Sequence, residues 1–184
     1  MPVTTTLLFL RHGKVDNPKG VLYGRLPGFR LSKTGRDQVI KSAKLLKNLK
    51  VSAVYSSPLL RARQTASIIG KWLNLKPRIS SQLTEVKIIY QGMPLDLFKK
   101  NIQFHLYEPQ NIKKGQESIA EISSRMLKFV KFIKKRHPGK TVLAVSHGDP
   151  IAITKAVINN KKFTWEYKKR NYLSTGKFLT LILR

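Results

Sequence analysis

The chain contains no cysteine. Disulfides, thiolate metal sites and a cysteine nucleophile are therefore excluded, and a reducing compartment is consistent with that absence. Acids are scarce as well. Only 9 Asp+Glu stand against 36 Lys+Arg, a formal net charge of +27 on 184 residues. No apolar run approaches the roughly 18 residues that a membrane span requires. Met1 to Leu10 has no basic segment ahead of its short apolar stretch, Leu7 to Leu10. No signal peptide is read there, and a cytoplasmic protein without membrane contact is expected. Histidine is rare too, with four in the chain, so the places where it falls carry weight.

What is present is globular in character: 41% hydrophobic and 24% charged residues fit a folded rather than a disordered chain. The length suits one domain over 1–184, since single cores stop growing near ~250 residues. A strongly positive field attracts anions such as phosphorylated metabolites or nucleic acid. The basic residues come as scattered pairs, among them Lys99-Lys100, Lys113-Lys114, Lys161-Lys162 and Lys168-Lys169. This reads as a solvated lysine-rich surface in preference to a dedicated nucleic-acid groove.

Strand and helix signals alternate. Thr5 to Leu10 is a short buried-strand run, followed by a Gly/Pro-rich loop from Gly13 to Gly28. Lys33 to Leu49 places Val39, Ala43 and Leu46 at helical spacing. Ala53 to Ser56 reads as a strand, and Ser57-Pro58 as an N-cap with proline at the first helical position. The segment from Pro77 to Gly115 reads as loops with a short helix near Leu95 to Ile102. Ser118 with Glu121 forms a capping box for a helix ending at His137-Pro138-Gly139. Thr141 to Val145 is a second buried strand, leading through Ser146-His147-Gly148-Asp149-Pro150 into a helix from Ile151 to about Ile158. Phe178 to Leu183 is a last strand. The pattern predicts an α/β fold, a three-layer α/β/α sandwich around a mostly parallel sheet. Ligands in such sheets bind beyond the carboxyl ends of the strands. Two such ends carry the same pair: Arg11-His12-Gly13 and Ser146-His147-Gly148.

Several segments resemble those of the histidine phosphatase superfamily, the phosphoglycerate mutase-like family, in order and along nearly the whole chain. Leu10-Arg11-His12-Gly13 resembles its opening motif, and Leu31-Ser32-Lys33-Thr34-Gly35 the start of its first helix. Ser56-Ser57-Pro58-Leu59-Leu60-Arg61-Ala62-Arg63-Gln64-Thr65-Ala66 is similar to its arginine segment. Leu83-Thr84-Glu85 resembles the stretch supplying its acid, Gly115-Gln116-Glu117-Ser118 its G-[GE]-E-S, and Val145-Ser146-His147-Gly148 its second-histidine motif. The resemblance implies that Arg11, Arg61 and His147 hold a phosphoryl group, that His12 is the nucleophile and that Glu85 is the proton donor. It also implies substrate contacts from Asn17, Tyr23, Gly24 and Gly148, a small cap at about 86–114, a small phosphorylated substrate, and neither metal nor other cofactor. The residue types suit this chemistry. Phosphoryl transfer needs positioning and charge around three equatorial oxygens, and a guanidinium gives one phosphate two charge-assisted hydrogen bonds. Neighbouring cations favour a neutral, nucleophilic imidazole.

The sequence departs from the family's pattern in places. Lys14 stands where an acid is common. Ile88-Ile89-Tyr90-Gln91-Gly92 keeps only the last Gly of a G-x-W-E-G-like stretch. Arg25 reads equally as an extra anion contact and as a solvated loop residue, while His105 and His137 read as structural or surface residues. Other chemistries fit worse. Ala144-Val145-Ser146-His147-Gly148 resembles a serine nucleophile elbow, but no histidine follows to complete a triad. Gly139-Lys140-Thr141 hints at a P-loop, yet it runs from helix to strand, the reverse of the required order. A metal held by His12, His147 and Glu85 would compete with two arginines that already supply positive charge. The expected activity is thus metal-independent phosphomonoester hydrolysis through a phosphohistidine. The alternatives are mutase-type transfer, which the small cap and the chain's end at Arg184 disfavour, and a basic nucleic-acid-binding protein on this scaffold.

Overall fold

The computed structural model describes residues 4–183. Met1 to Val3 and Arg184 lie outside the described residues, and with them part of the leader reading and the chain's last position. The strands are β1 (Thr5–Arg11), β2 (Val51–Ser56), β3 (Arg78–Ile79), β4 (Thr141–Ser146) and β5 (Phe178–Leu183). The helices are α1 (Lys33–Leu46), α2 (Leu60–Leu73), α3 (Leu95–Asn101), α4 (Pro109–Lys113), α5 (Ile119–Arg136), α6 (Gly148–Ile158) and α7 (Trp165–Asn171), with 3-10 turns at Lys47–Leu49 and Ser81–Leu83. The sheet order is β3-β2-β4-β1-β5. Every pairing is parallel except that of β5 on β1.

β1 and β4 are continuous apolar runs because both of their faces are covered. On one face Leu7, Phe9, Val142 and Ala144 pack against Ile122, Met126, Phe129 and Ile133 of α5 and Ile151 of α6. On the other, Leu8, Leu10, Leu143 and Val145 meet Val39, Ala43 and Leu46 of α1 and Ala62, Ala66 and Ile69 of α2. The strand period of two sends alternate residues to opposite layers, which makes the three-layer α/β sandwich. α5 carries its apolar stripe at spacings of three and four. Truncating the fully buried Phe129 to alanine would cost about 3–5 kcal/mol.

The Ser118–Glu121 capping box is present, with both reciprocal bonds made. α5 ends at the His137 cap, whose N–H bonds the Ile133 carbonyl. Some sequence expectations need correction. Helix α2 begins at Leu60 with Leu59 as its cap, so Ser57-Pro58 precedes the helix; its serine is engaged elsewhere. Helix α6 begins at Gly148, three residues before the expected Ile151. Strand β2 begins at Val51, with a register irregularity between Val51 and Ala53. Helices α4 and α7 were not anticipated. Each is short, at five and seven residues, and too short for helical periodicity to stand out. No helix among the described residues is long and apolar enough to cross a membrane.

Candidate active site

Parallel register builds the floor. Arg11 pairs with Ser146 across β1 and β4, so His12 and His147 leave two adjacent strands side by side. The His12 N–H bonds the Ser146 carbonyl at 3.1 Å, and the two imidazole centroids are 5.1 Å apart. On the other flank of β4, Ser56 pairs with Val145, and the Ser57 N–H bonds the Val145 carbonyl at 3.0 Å. Arg61 sits in the first turn of α2 and is 1% exposed. Three motifs distant in sequence therefore converge because three neighbouring strands end together.

The hydrogen bonds fix the state of His12. Its Nδ1 lies 2.8 Å from the Gly13 carbonyl. A carbonyl only accepts, so Nδ1 carries the proton. The Arg61 Nε–H donates to His12 Nε2 at 3.2 Å, so Nε2 is unprotonated and its one lone pair accepts that bond. Burial holds the His12 pKa well below that of a free imidazole, and the Arg61 and Arg11 charges push it the same way. His147 is likewise held well below, first by burial and then by Arg61 and His12. Its Nε2 is 2.8 Å from the Ser57 hydroxyl. The Ser57 hydroxyl already accepts from the Leu59 N–H at 3.3 Å; with its own proton directed to Nε2, the imidazole proton falls on Nδ1, the ring nitrogen that faces the Glu85 carboxyl. That Nδ1 and the Arg11 Nε are both buried without a hydrogen-bond partner. The nearest acid oxygen to His147 Nδ1, Oε2 of Glu85, lies 3.8 Å away, beyond a normal hydrogen bond. Buried donors without partners are costly. Two of them beside an unprotonated imidazole nitrogen describe a place for an anion.

The cations are braced for this. Arg61 donates to the Gly24 carbonyl at 2.7 Å and lies over the Tyr23 ring at 4.7 Å. Arg11 donates to the Leu173 carbonyl at 2.9 Å and lies over the Tyr172 ring at 4.7 Å. Gly148 opens α6, whose N-terminus favours negative charge. A Cβ there would stand 2.1 Å from the Tyr172 hydroxyl, so glycine lets Tyr172 close over the site. Gly13 and Gly35 interlock in the same way: a Cβ on Gly35 would come within 2.0 Å of the Lys14 carbonyl. Thr65 accepts from the Gly13 N–H and Gln64 from the Leu31 N–H. This gives the arginine segment a bracing role for its Gln-Thr pair.

Glu85 approaches from a loop. Its Oε1 accepts from the Val86 N–H at 2.9 Å, and burial raises its pKa although the Arg61 charge opposes that. Four side chains hold this loop, the first being Ser146 at the end of β4, whose hydroxyl donates to the Leu83 carbonyl at 2.8 Å. Arg125 donates to the Gln82 carbonyl and Arg25 to the Glu85 carbonyl, at 2.7 and 2.6 Å. Glu117 accepts from the Lys87 N–H at 2.9 Å and forms ion pairs with Arg25 and Arg125 at 3.0 and 2.7 Å. Arg25 therefore serves the acid loop rather than standing solvated. Gln91, which replaces the family's acid, accepts from the Arg25 N–H.

Of the other sequence candidates, Tyr23 and Gly24 line the cavity beside Arg11 and Glu85. Asn17 is engaged within its own loop, donating to the Val21 carbonyl and accepting from the Val21 N–H. His105 pairs with Glu108 at the surface, and His137 Nε2 meets the Tyr55 hydroxyl at 2.9 Å. Sequence reasoning missed Ser57 as a partner of His147 and Tyr172 as a cover for Arg11. Ser57 was visible inside the matched arginine segment, whereas Tyr172 lies in a stretch with no motif. Also missed was buried Asp149, which pairs with Lys168 at 2.7 Å and accepts from the Tyr107 hydroxyl at 2.6 Å.

Comparison with known proteins agrees with this geometry. The profile of the histidine phosphatase superfamily (branch 1) matches residues 7–171. An uncharacterised protein of Mycobacterium tuberculosis is 33% identical over 99% of this chain and 92% of its own. Phosphoserine phosphatase 1 of Hydrogenobacter thermophilus is 30% identical over 79% of this chain and 72% of its own. The solved structure of mycobacterial glucosyl-3-phosphoglycerate phosphatase superposes with a TM-score of 0.79 at 22% identity, over 97% of this chain and 90% of that one; at that identity the likeness concerns the fold. With the motifs in order, the strand ends bringing both histidines and Arg61 together and the profile spanning both histidines, the chain belongs to the histidine phosphatase superfamily.

Proposed function

We propose that the protein is a metal-independent phosphomonoester hydrolase that works through a phosphohistidine on Nε2 of His12. The observation carrying this reading is the unprotonated Nε2 of His12 beside two buried donors without partners, Arg11 Nε and His147 Nδ1. Arg11, Arg61 and His147 hold the phosphoryl oxygens, and the positive charge of the two arginines takes the place of a metal ion. The α6 N-terminus at Gly148 adds to that field. The Arg61 Nε–H turns from His12 to a phosphoryl oxygen, and the freed lone pair of Nε2 attacks phosphorus in line, so the N–P bond forms as the ester P–O bond breaks. Glu85 enters as the carboxylic acid, favoured by its raised pKa, and gives its proton to the leaving alkoxide. Water then attacks the phosphohistidine. Glu85, now a carboxylate, takes the water's proton, the N–P bond breaks, and inorganic phosphate leaves with the Nε2 lone pair restored. The phosphatase names of relatives and of similar structures support this reaction class.

The test is a single-turnover reaction with a radiolabelled phosphomonoester in a chelator, followed by alkaline quench and mapping of the labelled peptide. An acid-labile, alkali-stable label on His12 and release of inorganic phosphate are expected. Label elsewhere, or turnover lost on chelation, overturns the proposal. Interconversion of 2- and 3-phosphoglycerate without phosphate release makes the protein a mutase instead.

A further inference from the structure

Above the phosphoryl site lies a cavity of about 390 Å³, within the range of pockets that enclose drug-sized ligands, roughly 300–1,000 Å³. Away from Arg11 and Glu85 its walls are mainly apolar, with Val21, Leu22, Ile88, Leu95, Phe98 and Trp165 among them, and Lys99, Gln103, Asp149 and Lys168 supply the polar part. Trp165 is set by its edge contact with Phe104, with ring centroids 4.5 Å apart. Two carboxylates also line the cavity, and neither is free for a cationic ligand. Glu85 is the proposed proton donor. Asp149 is neutralised by Lys168, its Oδ1 2.7 Å and Oδ2 2.9 Å from the ammonium, and it also accepts from Tyr107. The remaining charge in the lining, Lys99 and Arg11, is positive.

From these walls we infer that the natural substrate is a phosphomonoester whose alcohol part is a ring-bearing apolar group without a positive charge, and that amino-acid phosphates are poor substrates. This rests on the phosphatase reading above. A substrate ammonium would meet no available carboxylate and two like charges, which disfavours it. A ring would displace water from Phe98, Leu95 and Trp165. The phosphoserine specificity in the name of the Hydrogenobacter thermophilus relative is therefore not expected to carry over.

The test compares kcat/KM on the whole protein for four esters of primary alcohols, so that leaving-group chemistry stays similar. These are benzyl phosphate, 2-naphthylmethyl phosphate, phosphoserine and N-acetylphosphoserine. Benzyl phosphate should exceed phosphoserine by roughly 10- to 150-fold, the worth of burying one large apolar side chain. N-acetylation, which removes the ammonium, should raise kcat/KM for phosphoserine. Trp165→Ala should lower the two ring esters by about tenfold, chiefly through KM, and phosphoserine by much less. Phosphoserine equal to or better than benzyl phosphate in the unmodified protein overturns the inference, as does an equal loss on all four esters in the variant. Failure of all four esters and of p-nitrophenyl phosphate to release phosphate overturns the underlying phosphatase reading instead.

Discussion

At the floor of the site, His12, His147 and Ser57 each follow directly from a strand, and the sheet's own register places them. Glu85 stands opposite on a segment between the Ser81–Leu83 turn and α3, which meets the sheet at Leu83, where the carbonyl accepts from the Ser146 hydroxyl. Its position is set by side chains: Arg25, Arg125 and Glu117 each hold a backbone atom of residues 82–87. The floor is thus fixed by the core of the fold, whereas the acid is held by its buried neighbours Leu83 and Val86 together with a polar clamp whose Arg25, Arg125 and Glu117 lie off the sheet. The two regions also have different jobs in the proposed reaction, one holding the phosphoryl group and the other moving a proton. Variants should separate them.

The largest effect belongs to the floor. His12→Ala removes the covalent route and should lower kcat/KM at least about 10⁴-fold on every ester, as losses of catalytic nucleophiles do elsewhere. Phosphate release retained in this variant would dissolve the distinction between floor and loop. Glu85→Gln comes next. It should cost roughly 10²–10⁴-fold on alkyl esters, the usual worth of general acid–base help. The loss should be much smaller for p-nitrophenyl phosphate, whose leaving group needs little protonation. The pH profile supplies the sign. The reactive form has His12 neutral and Glu85 protonated. Because the His12 pKa is lowered, the rate holds as pH falls below the ordinary imidazole value. Because the Glu85 pKa is raised, the rate falls on the alkaline side as that carboxyl ionises. Glu85→Gln should abolish the alkaline fall and leave the acidic one.

The same contrast explains what could be read from the sequence. Phe9, Val142 and their neighbours announce buried strands because both faces are covered. His12 and His147 stand at the strand ends, so the motifs locate the floor without any contact map. The resemblance marked Glu85, but nothing local to Arg25 or Arg125 shows that either grips the acid loop. Their partners lie 60 and 43 positions away, and no periodicity records such a pairing. Ser57 was misread for a related reason: a serine before a proline and a helix satisfies the local rule for a cap, while its tertiary partner, His147, is 90 positions away. Tyr172, over Arg11, likewise becomes visible only once the chain has folded.

Ser57→Ala and Glu117→Gln sharpen the comparison, because each removes one support and leaves every proposed reacting group in place. Ser57 fixes the proton of His147, so its loss strands a buried ring nitrogen and should lower kcat/KM by roughly tenfold. Since His147 serves the phosphoryl group, aryl and alkyl esters should suffer alike.

Glu117→Gln should have the smallest effect and the most selective. The glutamine keeps an acceptor for the Lys87 N–H but gives up the charge that draws Arg25 and Arg125 together. The loop carrying Glu85 then shifts by a fraction of the 1 Å displacement that can cost about a hundredfold. A loss of roughly five- to tenfold on alkyl esters follows from that scale, with little change on p-nitrophenyl phosphate. Combined with Glu85→Gln, the second substitution should add almost nothing, since the group it positions is already gone. Equal losses on both ester types, or full additivity in the double variant, would mean that Glu117 supports the fold at large and that the acid is placed by something other than this clamp.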